Sequence, residues 1–166
     1  TPEDVDRLTP IEIISDIPAL FSSLQRVHVE DLGTQTNDEL IARMCEHEQA
    51  LCIVNSKKHA RALYDVLPEN GRFYLTTLLT PLHRKQIIAE IKRRLGEGLP
   101  CRVVSTSLIE AGVDVDFPVG LRARTGLDSI LQTAGRVNRE GKRPLNESVL
   151  YVFDEEAEFS SANISY

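Results

Sequence analysis

Continuous apolar runs alternate with amphipathic segments along this chain, and the alternation predicts strands and helices in turn. The five-residue run at 50–54 is typical of a parallel strand buried on both faces of a sheet. Further strands are predicted at 26–32, 73–76, 102–105, 119–122 and 149–153. Strands that alternate with helices indicate an α/β fold, with a mainly parallel sheet and helices on both of its faces.

Start and stop signals mark the predicted helices, which span 36–47, 56–67, 81–95 and 128–135, with a short one after residue 106. Thr36 or Asn37 is a plausible cap of the first helix, and Ser56 caps the second. Pro81 suits the first turn of the third helix, and Gly96 and Gly98 end it.

Length and composition favour a globular domain. The 166 residues fit one domain, and a hydrophobic content of 42% is ample for a core. We expect a linker or insertion at 1–25 with a short helix near 16–24, a domain at 26–153 and an acidic tail at 154–166. The chain begins with Thr1 rather than Met, so we expect a piece of a longer protein. No apolar run approaches 18 residues, so the sequence predicts no membrane span. The three cysteines form no CxxC motif, which fits a reducing cytosol.

The net charge of −6 conceals an uneven distribution. Residues 1–50 carry a net charge of −8, residues 51–150 carry +6, and residues 151–166 carry −4. The middle segment therefore has the positive charge that a polyanion site requires. The basic run at 92–94 is explained equally well as a DNA contact and as a solvated helix face.

The segment 132–139 carries the most informative chemistry. Arg136 and Arg139 are three residues apart and follow Gly135, so both guanidiniums can face one spot while the backbone approaches a ligand closely. Planar guanidiniums suit phosphate and can stabilise the charge on a transferring phosphoryl group. A surface helix with ordinary salt bridges explains the spacing alone equally well.

A second polar segment follows the strand at 102–105. Ser105 and Thr106 lie where this strand ends, at the edge where parallel sheets usually bind ligands. Gly112 and Asp114 stand at the far end of the following short helix, and Asp114 is suited either to accept a ribose hydroxyl or to orient an arginine. A strand end with a capping hydroxyl is the alternative.

Together these segments resemble the fifth and sixth conserved motifs of superfamily-two helicases, in the second of two RecA-like motor domains. They are most similar to the CRISPR-associated helicase-nuclease of type I interference systems. The stretches that carry the resemblance are 105–106 with 110–117, 127–130 and 132–141, and the ending Asn138-Arg139-Glu140-Gly141 narrows it to this family. The resemblance covers about residues 50–153, and Ser107 departs from it where Gln or Asp is more usual.

The resemblance implies a role for each matching residue. It assigns phosphate contacts on ATP to Arg136 and Arg139, and a place near the nucleotide to Gln132, Gly135, Gly112 and Asp114. It assigns contacts with the DNA backbone to Asn55, Ser56, Thr76, Ser105 and Thr106. The implied partners are single-stranded DNA, a first RecA-like motor domain and a nuclease domain of the same protein, and a guide-RNA surveillance complex. The implied setting is the cytoplasm of a prokaryote, with no membrane contact.

The motor is incomplete within these residues. The sequence has no G-x-x-x-x-G-K-[ST] loop and no acidic Walker B box, so we expect a partner motor domain to hold the phosphates of ATP and the Mg²⁺ ion. The resemblance thus implies half of an ATP-dependent DNA helicase, and we expect the isolated chain to be inactive. Two alternatives stay open: a docking module that keeps the helicase fold without its chemistry, and the motor domain of another superfamily-two helicase.

Overall fold

The computed structural model of the 166-residue chain describes residues 25–106 and 113–159. Strands and helices alternate through this part of the chain. The strands are β1 (His28–Gln35), β2 (Gln49–Ile53), β3 (Arg72–Leu75), β4 (Cys101–Ser105), β5 (Val119–Ala123) and β6 (Val149–Glu155). The helices are α1 (Asn37–Cys45), α2 (Lys57–Val66), α3 (Pro81–Glu97) and α4 (Leu127–Ala134), with a 3₁₀ turn at Leu145–Glu147.

The six strands form one sheet in the order β1-β6-β5-β2-β4-β3, and every neighbouring pair is parallel. Ile53 and Leu75 both pair with Ser105, so β2, β3 and β4 end level with one another. The residues that follow these three strands therefore share one edge of the sheet. The predicted α/β architecture is confirmed, and the sheet is wholly parallel in the described part of the chain.

Helices pack on both faces of the sheet, as predicted. On one face, Leu40 and Met44 of α1 and Leu63 of α2 cover alternate residues of β2 and β5. On the other face, Ile91 of α3 packs with Leu51, beside Val103 and Phe117. Cys52 and Cys101 lie in these two cores, and burial raises the pKa of each thiol to about 12.

Local capping explains where two helices begin and end. Thr36 is the cap of α1: its hydroxyl accepts from the Glu39 N–H, and the Glu39 carboxylate accepts from the Thr36 N–H. The third helix begins at Pro81 and ends where Gly98 adopts φ +68°, a left-handed conformation that suits glycine. Gly96 lies inside this helix, so the prediction that it also ends the helix is wrong.

The outer strands differ most from their predicted bounds. β1 begins at His28 rather than residue 26 and continues to Gln35, because it pairs with β6 as far as Glu155. It is an edge strand with mostly exposed side chains, so its apolar alternation is weak. The helix expected near 16–24 and the short one after residue 106 lie outside the described residues.

Candidate functional site

The structure places the predicted site residues in two separate groups. Asn55, Ser56, Thr76, Ser105 and Thr106 follow or end β2, β3 and β4, at the carboxyl edge of the sheet. The second group joins Asp114 to the turn at 135–141, the arginine turn. That turn lies beside residues 116 and 117, which lead into β5 at its amino end. The two groups therefore occupy different sides of the domain.

The arginine turn is attached to the chain that enters β5. The Phe117 N–H donates to the Arg136 carbonyl at 2.9 Å, and the Asn138 N–H donates to the Phe117 carbonyl at 2.9 Å. Between them, Val137 lies over Gly120 of β5, where an added Cβ would be 2.8 Å from Val137 Cγ2. A side chain at position 120 would displace the turn, so this glycine permits the close approach of backbone and turn.

Acidic side chains hold Arg139 at both its backbone and its guanidinium. Its Nε lies 3.1 Å from Asp114 Oδ1, and its N–H donates to Asp116 Oδ1 at 2.8 Å. Asp116 also accepts from Arg143 at 3.0 Å. The Arg139 side chain remains 42% exposed, so a ligand can still reach it. Arg136 is half-buried. The contact with Asp114 matches the expectation that Asp114 orients an arginine, while its role toward a nucleotide stays a prediction.

Asn138 lies within the predicted motif at 132–141, but the sequence alone predicted no role for it. It is 1% exposed and has φ +47°, a left-handed conformation that Asn tolerates better than most residues. Its Nδ2 donates to the carbonyls of Arg26 and Arg143 at 2.9 and 2.8 Å, and its Oδ1 accepts from the Arg143 N–H at 3.0 Å. Asn138 therefore fixes the shape of the arginine turn.

A polar cavity of about 400 Å³ adjoins the pair formed by Asp114 and Arg139. Its walls come from the second half of α3 and from the segments 114–116 and 140–143. Its charged lining residues, of both signs, are Lys92, Asp114, Asp116, Glu140, Lys142 and Arg143. Within the described residues, no group of three or more His, Cys, Asp or Glu side chains is placed to hold a metal ion.

Three further residues were predicted to lie near the nucleotide, and the described residues show no contact that defines their roles. Gln132 is exposed on α4, and Gly135 follows the last residue of this helix. Gly112 lies outside the described residues. The roles that the sequence gives to these three residues therefore stay predictions.

At the carboxyl edge, the hydroxyl groups differ in how they are used. Ser105 is buried, and its hydroxyl lies 2.8 Å from the Leu75 carbonyl and 2.7 Å from the Thr106 carbonyl. These internal partners weigh against the predicted DNA contact of Ser105. Thr106 is largely buried, and Thr76 is wholly buried with a hydroxyl that has no hydrogen-bond partner among the described residues. Because the Thr76 side chain has no exposed surface, its hydroxyl does not face an external strand, and the DNA contact of Thr76 stays a prediction.

Asn55 and Ser56 are bound within the protein at the start of α2. The Asn55 amide donates to the Arg124 carbonyl at 3.0 Å and to Glu155 Oε2 at 3.2 Å, and it accepts from Arg122 at 2.9 Å. The Ser56 hydroxyl accepts from the His59 N–H at 3.1 Å and so caps α2. Asn55 thus joins three strand ends, and its DNA contact stays a prediction.

Glu155 completes this network, although it was predicted only as part of an acidic tail. Its side chain is 4% exposed and lies 2.6 Å from His59 Nδ1, and it also accepts from the Asn55 N–H at 3.2 Å. Burial opposes ionisation of Glu155, but the hydrogen bonds from His59 and Asn55 outweigh it and lower the pKa of the carboxyl. Phe159 stacks on His59 with a centroid distance of 4.3 Å. No local sequence signal joins residues 96 positions apart.

Most of the described domain matches a known protein family. A family model described as "CRISPR-associated nuclease/helicase Cas3, C-terminal" matches residues 46–142. The Cas3 nuclease/helicase of Methanothermobacter thermautotrophicus is 32% identical over 93 residues, which cover 55% of this chain and 11% of the relative. The Cas3 nuclease/helicase of Haloferax volcanii is 38% identical over 65 residues, covering 39% and 7%. The chain thus spans about a tenth of the length of the curated relatives it matches.

Solved structures share the fold at lower identity. A crystal structure of T. fusca Cas3 with ATP aligns with a TM-score of 0.63 at 22% identity, covering 93% of this chain and 19% of that one. The helicase Lhr of Mycobacterium smegmatis, solved with single-stranded DNA and AMP-PNP, aligns with a TM-score of 0.58 at 16% identity, covering 77% and 19%. These likenesses establish the RecA-like helicase fold. No helix of the described residues is long and apolar enough to cross a membrane.

Proposed function

The chain belongs to the family of the C-terminal region of the CRISPR-associated nuclease/helicase Cas3, as a second RecA-like helicase domain, and from this premise we propose its chemistry. It is the half of an ATP-driven motor that supplies arginine side chains to the nucleotide and backbone contacts to single-stranded DNA. The observation that carries the proposal is the arginine turn, where Arg139 is anchored beside Asp114 and keeps its guanidinium partly exposed.

ATP binds between this domain and a first motor domain, which holds the phosphates and Mg²⁺. Arg136 and Arg139 approach the transferring phosphoryl group when the two domains close, and stabilise the charge that develops on it. Asp114 orients Arg139 before closure and is then available to the ribose. Relatives of this fold that were solved with ATP, ADP and AMPPNP support ATP as the nucleotide.

Single-stranded DNA passes along the carboxyl edge of the sheet. Thr106 contacts a strand phosphate there, near the exposed residues Lys57 and Lys58 at the start of α2. Contacts with backbone rather than bases give little sequence preference. Because the nucleotide and the strand bind different sides of the domain, closure on ATP moves the whole strand-binding edge relative to the first motor domain. Repeated closure and opening during hydrolysis then drive translocation along the strand.

The partners of this domain include a nucleic-acid-guided complex and a nuclease domain. A solved surveillance complex in a pre-nicking state contains a chain that aligns with this one at a TM-score of 0.61 and 21% identity. We propose that a guide-RNA surveillance complex recruits the motor, and that a nuclease domain of the same protein cuts the strand that it pulls.

Substitution of the two arginines tests the ATP half-site in a protein that joins this chain to its first motor domain. Arg136→Ala and Arg139→Ala are each expected to lower the DNA-stimulated ATPase rate by roughly 10³–10⁵-fold, with little change in DNA affinity. Arg136→Lys is expected not to rescue the rate, because an ammonium group does not reproduce the planar fork of the guanidinium. Arg61→Ala is the matched control, since Arg61 is exposed and its ion pair is with Asp65 of the same helix.

Near-normal turnover in Arg136→Ala and Arg139→Ala contradicts the proposal. If instead DNA affinity falls first, the arginine turn belongs to the strand-binding surface. If the wild-type protein has no DNA-stimulated ATPase but still binds a protein partner, a docking module of helicase fold is the better description.

A further inference from the structure

We infer that Arg26 and Asn138 are positioning residues for Arg139, and that they tie the chain segment entering β1 to the arginine turn. The inference rests on the proposed function, because it concerns the geometry in which Arg139 meets the nucleotide. The juxtaposition joins residues more than 100 positions apart in sequence, and Arg26 lies outside the stretches that carry the helicase resemblance.

The two residues form a reciprocal clamp. The Arg26 guanidinium donates to the Arg139 carbonyl at 2.7 Å, and Asn138 Nδ2 donates to the Arg26 carbonyl at 2.9 Å. One hydrogen bond thus runs in each direction between the segment before β1 and the arginine turn. Gly141 lies against the same guanidinium, where an added Cβ would be 3.6 Å from Arg26 Nε.

The clamp completes the anchoring of Arg139 on every side. Asp116 holds its N–H, Arg26 holds its carbonyl, and Asp114 holds its guanidinium. A catalytic side chain needs supporting groups that hold it within about 0.5 Å of its productive position. The backbone of Arg139 has two such groups, Asp116 at its N–H and Arg26 at its carbonyl. Arg26 belongs to the segment just before β1.

Asn138 has properties that few other residues combine. Its φ of +47° is costly for most side chains, and its buried amide satisfies two carbonyls and one N–H. Glycine accepts the backbone conformation but removes all three hydrogen bonds. The variant Asn138→Gly therefore separates the hydrogen bonds from the conformation of the turn.

The clamp also gives the segment before β1 a mechanical connection to the reaction. Arg26 lies two residues before β1, so a displacement of the chain at this point acts on the carbonyl of Arg139. A displacement of Arg26 during domain closure would therefore change where Arg139 is held. Arg26 and Asn138 set this coupling without touching the nucleotide.

The experiment measures kcat and KM for ATP in the protein that joins this chain to its first motor domain. Arg26→Ala and Asn138→Gly are expected to lower kcat by about 10- to 100-fold with KM nearly unchanged, as misplacement of a catalytic group by about 1 Å does. Arg26→Lys, which keeps a donor, is expected to recover part of the rate. Because Arg26 is exposed, Arg26→Ala is the variant least at risk of unfolding, and its melting temperature is measured beside kcat.

A double-mutant cycle separates positioning from a general structural effect. If Arg26 acts through Arg139, adding Arg26→Ala to Arg139→Ala lowers kcat no further, whereas an independent structural role lowers it again. Full additivity, or unchanged kcat in Arg26→Ala and Asn138→Gly while Arg139→Ala is inactive, overturns the clamp alone. An active Arg139→Ala overturns the proposed function itself, so the two failures are distinguishable.

Discussion

Glu155 ends β6 with a carboxylate enclosed by donors from two other parts of the fold. His59 of α2 and the backbone and amide of Asn55 after β2 all contact it. The carboxylate also lies at the amino end of α2, where the helix dipole favours negative charge. Arg122 secures the other side of Asn55. Asn55 and Glu155 together thus join the ends of β2, β5 and β6 at the edge where we propose that DNA binds.

Glu155→Gln tests how much this network contributes to stability. We expect the free energy of unfolding to fall by about 1.5–3 kcal/mol at pH 7, the range for hydrogen bonds to a charged group. Folding lowers the pKa of Glu155, so its contribution is fully present above the ordinary glutamate pKa of about 4.3 and is lost as pH falls through the lower folded value. The difference between wild type and Glu155→Gln should therefore shrink below about pH 4.

Urea denaturation at pH 7, 5 and 3.5 measures that difference. Glu158→Gln is the control, because Glu158 lies in the same segment but is exposed. A stability gap between wild type and Glu155→Gln that stays constant across the three pH values would show that the loss is one of packing and not of charge.

Among the elements, α3 shows how packing decides between two interpretations of one sequence. The basic run at 92–94 fits either a DNA contact or a solvated face. Arg93 pairs with Glu90 and Glu97, and Arg94 pairs with Glu90 and also donates to the Pro100 carbonyl at 3.0 Å. Two of the three basic side chains are thus engaged by their own helix and its neighbouring loop, which favours the solvated face.

The cap of α1 offers a test of a local signal that the sequence already carries. Thr36→Ala removes the hydroxyl that accepts from the Glu39 N–H, and we expect a loss of about 1 kcal/mol in the free energy of unfolding. Thr36→Ser should keep most of that free energy, because serine retains the hydroxyl. Thr125→Ala, at an exposed loop position, is the control. Equal stability of the Ala and wild-type proteins in urea would show that the capping hydrogen bond contributes nothing.

Elements with strong local signals could be predicted, and contacts between distant residues could not. The apolar run at 50–54 became β2, and Pro81 and Gly98 marked both ends of α3, because these signals lie within the element itself. The edge strand β1 was displaced from its prediction because exposed residues alternate weakly. The arginine turn was predicted from its motif, but its anchors Arg26 and Asp116 follow from tertiary packing and leave no pattern in the sequence.

For the whole molecule, the carboxyl edge of the sheet is divided by charge. On the half formed by β1, β6 and β5, Arg124 is held by Asp31 and Asp154, whose carboxylates neutralise it. The half formed by β2, β4 and β3 ends in hydroxyl-bearing residues near Lys57 and Lys58. A polyanion is therefore favoured on the second half and repelled by the acids of the first, in keeping with the uneven charge along the chain.

This division predicts how the 166-residue chain binds single-stranded DNA. We expect weak binding with strong salt dependence, because a local basic edge works against a net charge of −6. Thr106→Ala should weaken binding by about 1 kcal/mol through the loss of one phosphate contact. Ser105→Ala should have a smaller effect on affinity, since the Ser105 hydroxyl is occupied within the protein.

Fluorescence anisotropy at two salt concentrations measures both effects. The logarithm of affinity should fall with the logarithm of salt with a slope of about −0.7 for each phosphate contacted, so a few contacts give a slope of roughly −2. Asp31→Asn should tighten binding at low salt, because it removes a carboxylate from the acidic half of the edge without adding a contact. Tight binding that is insensitive to salt, or unchanged affinity in Thr106→Ala, would place the strand on another surface of the domain.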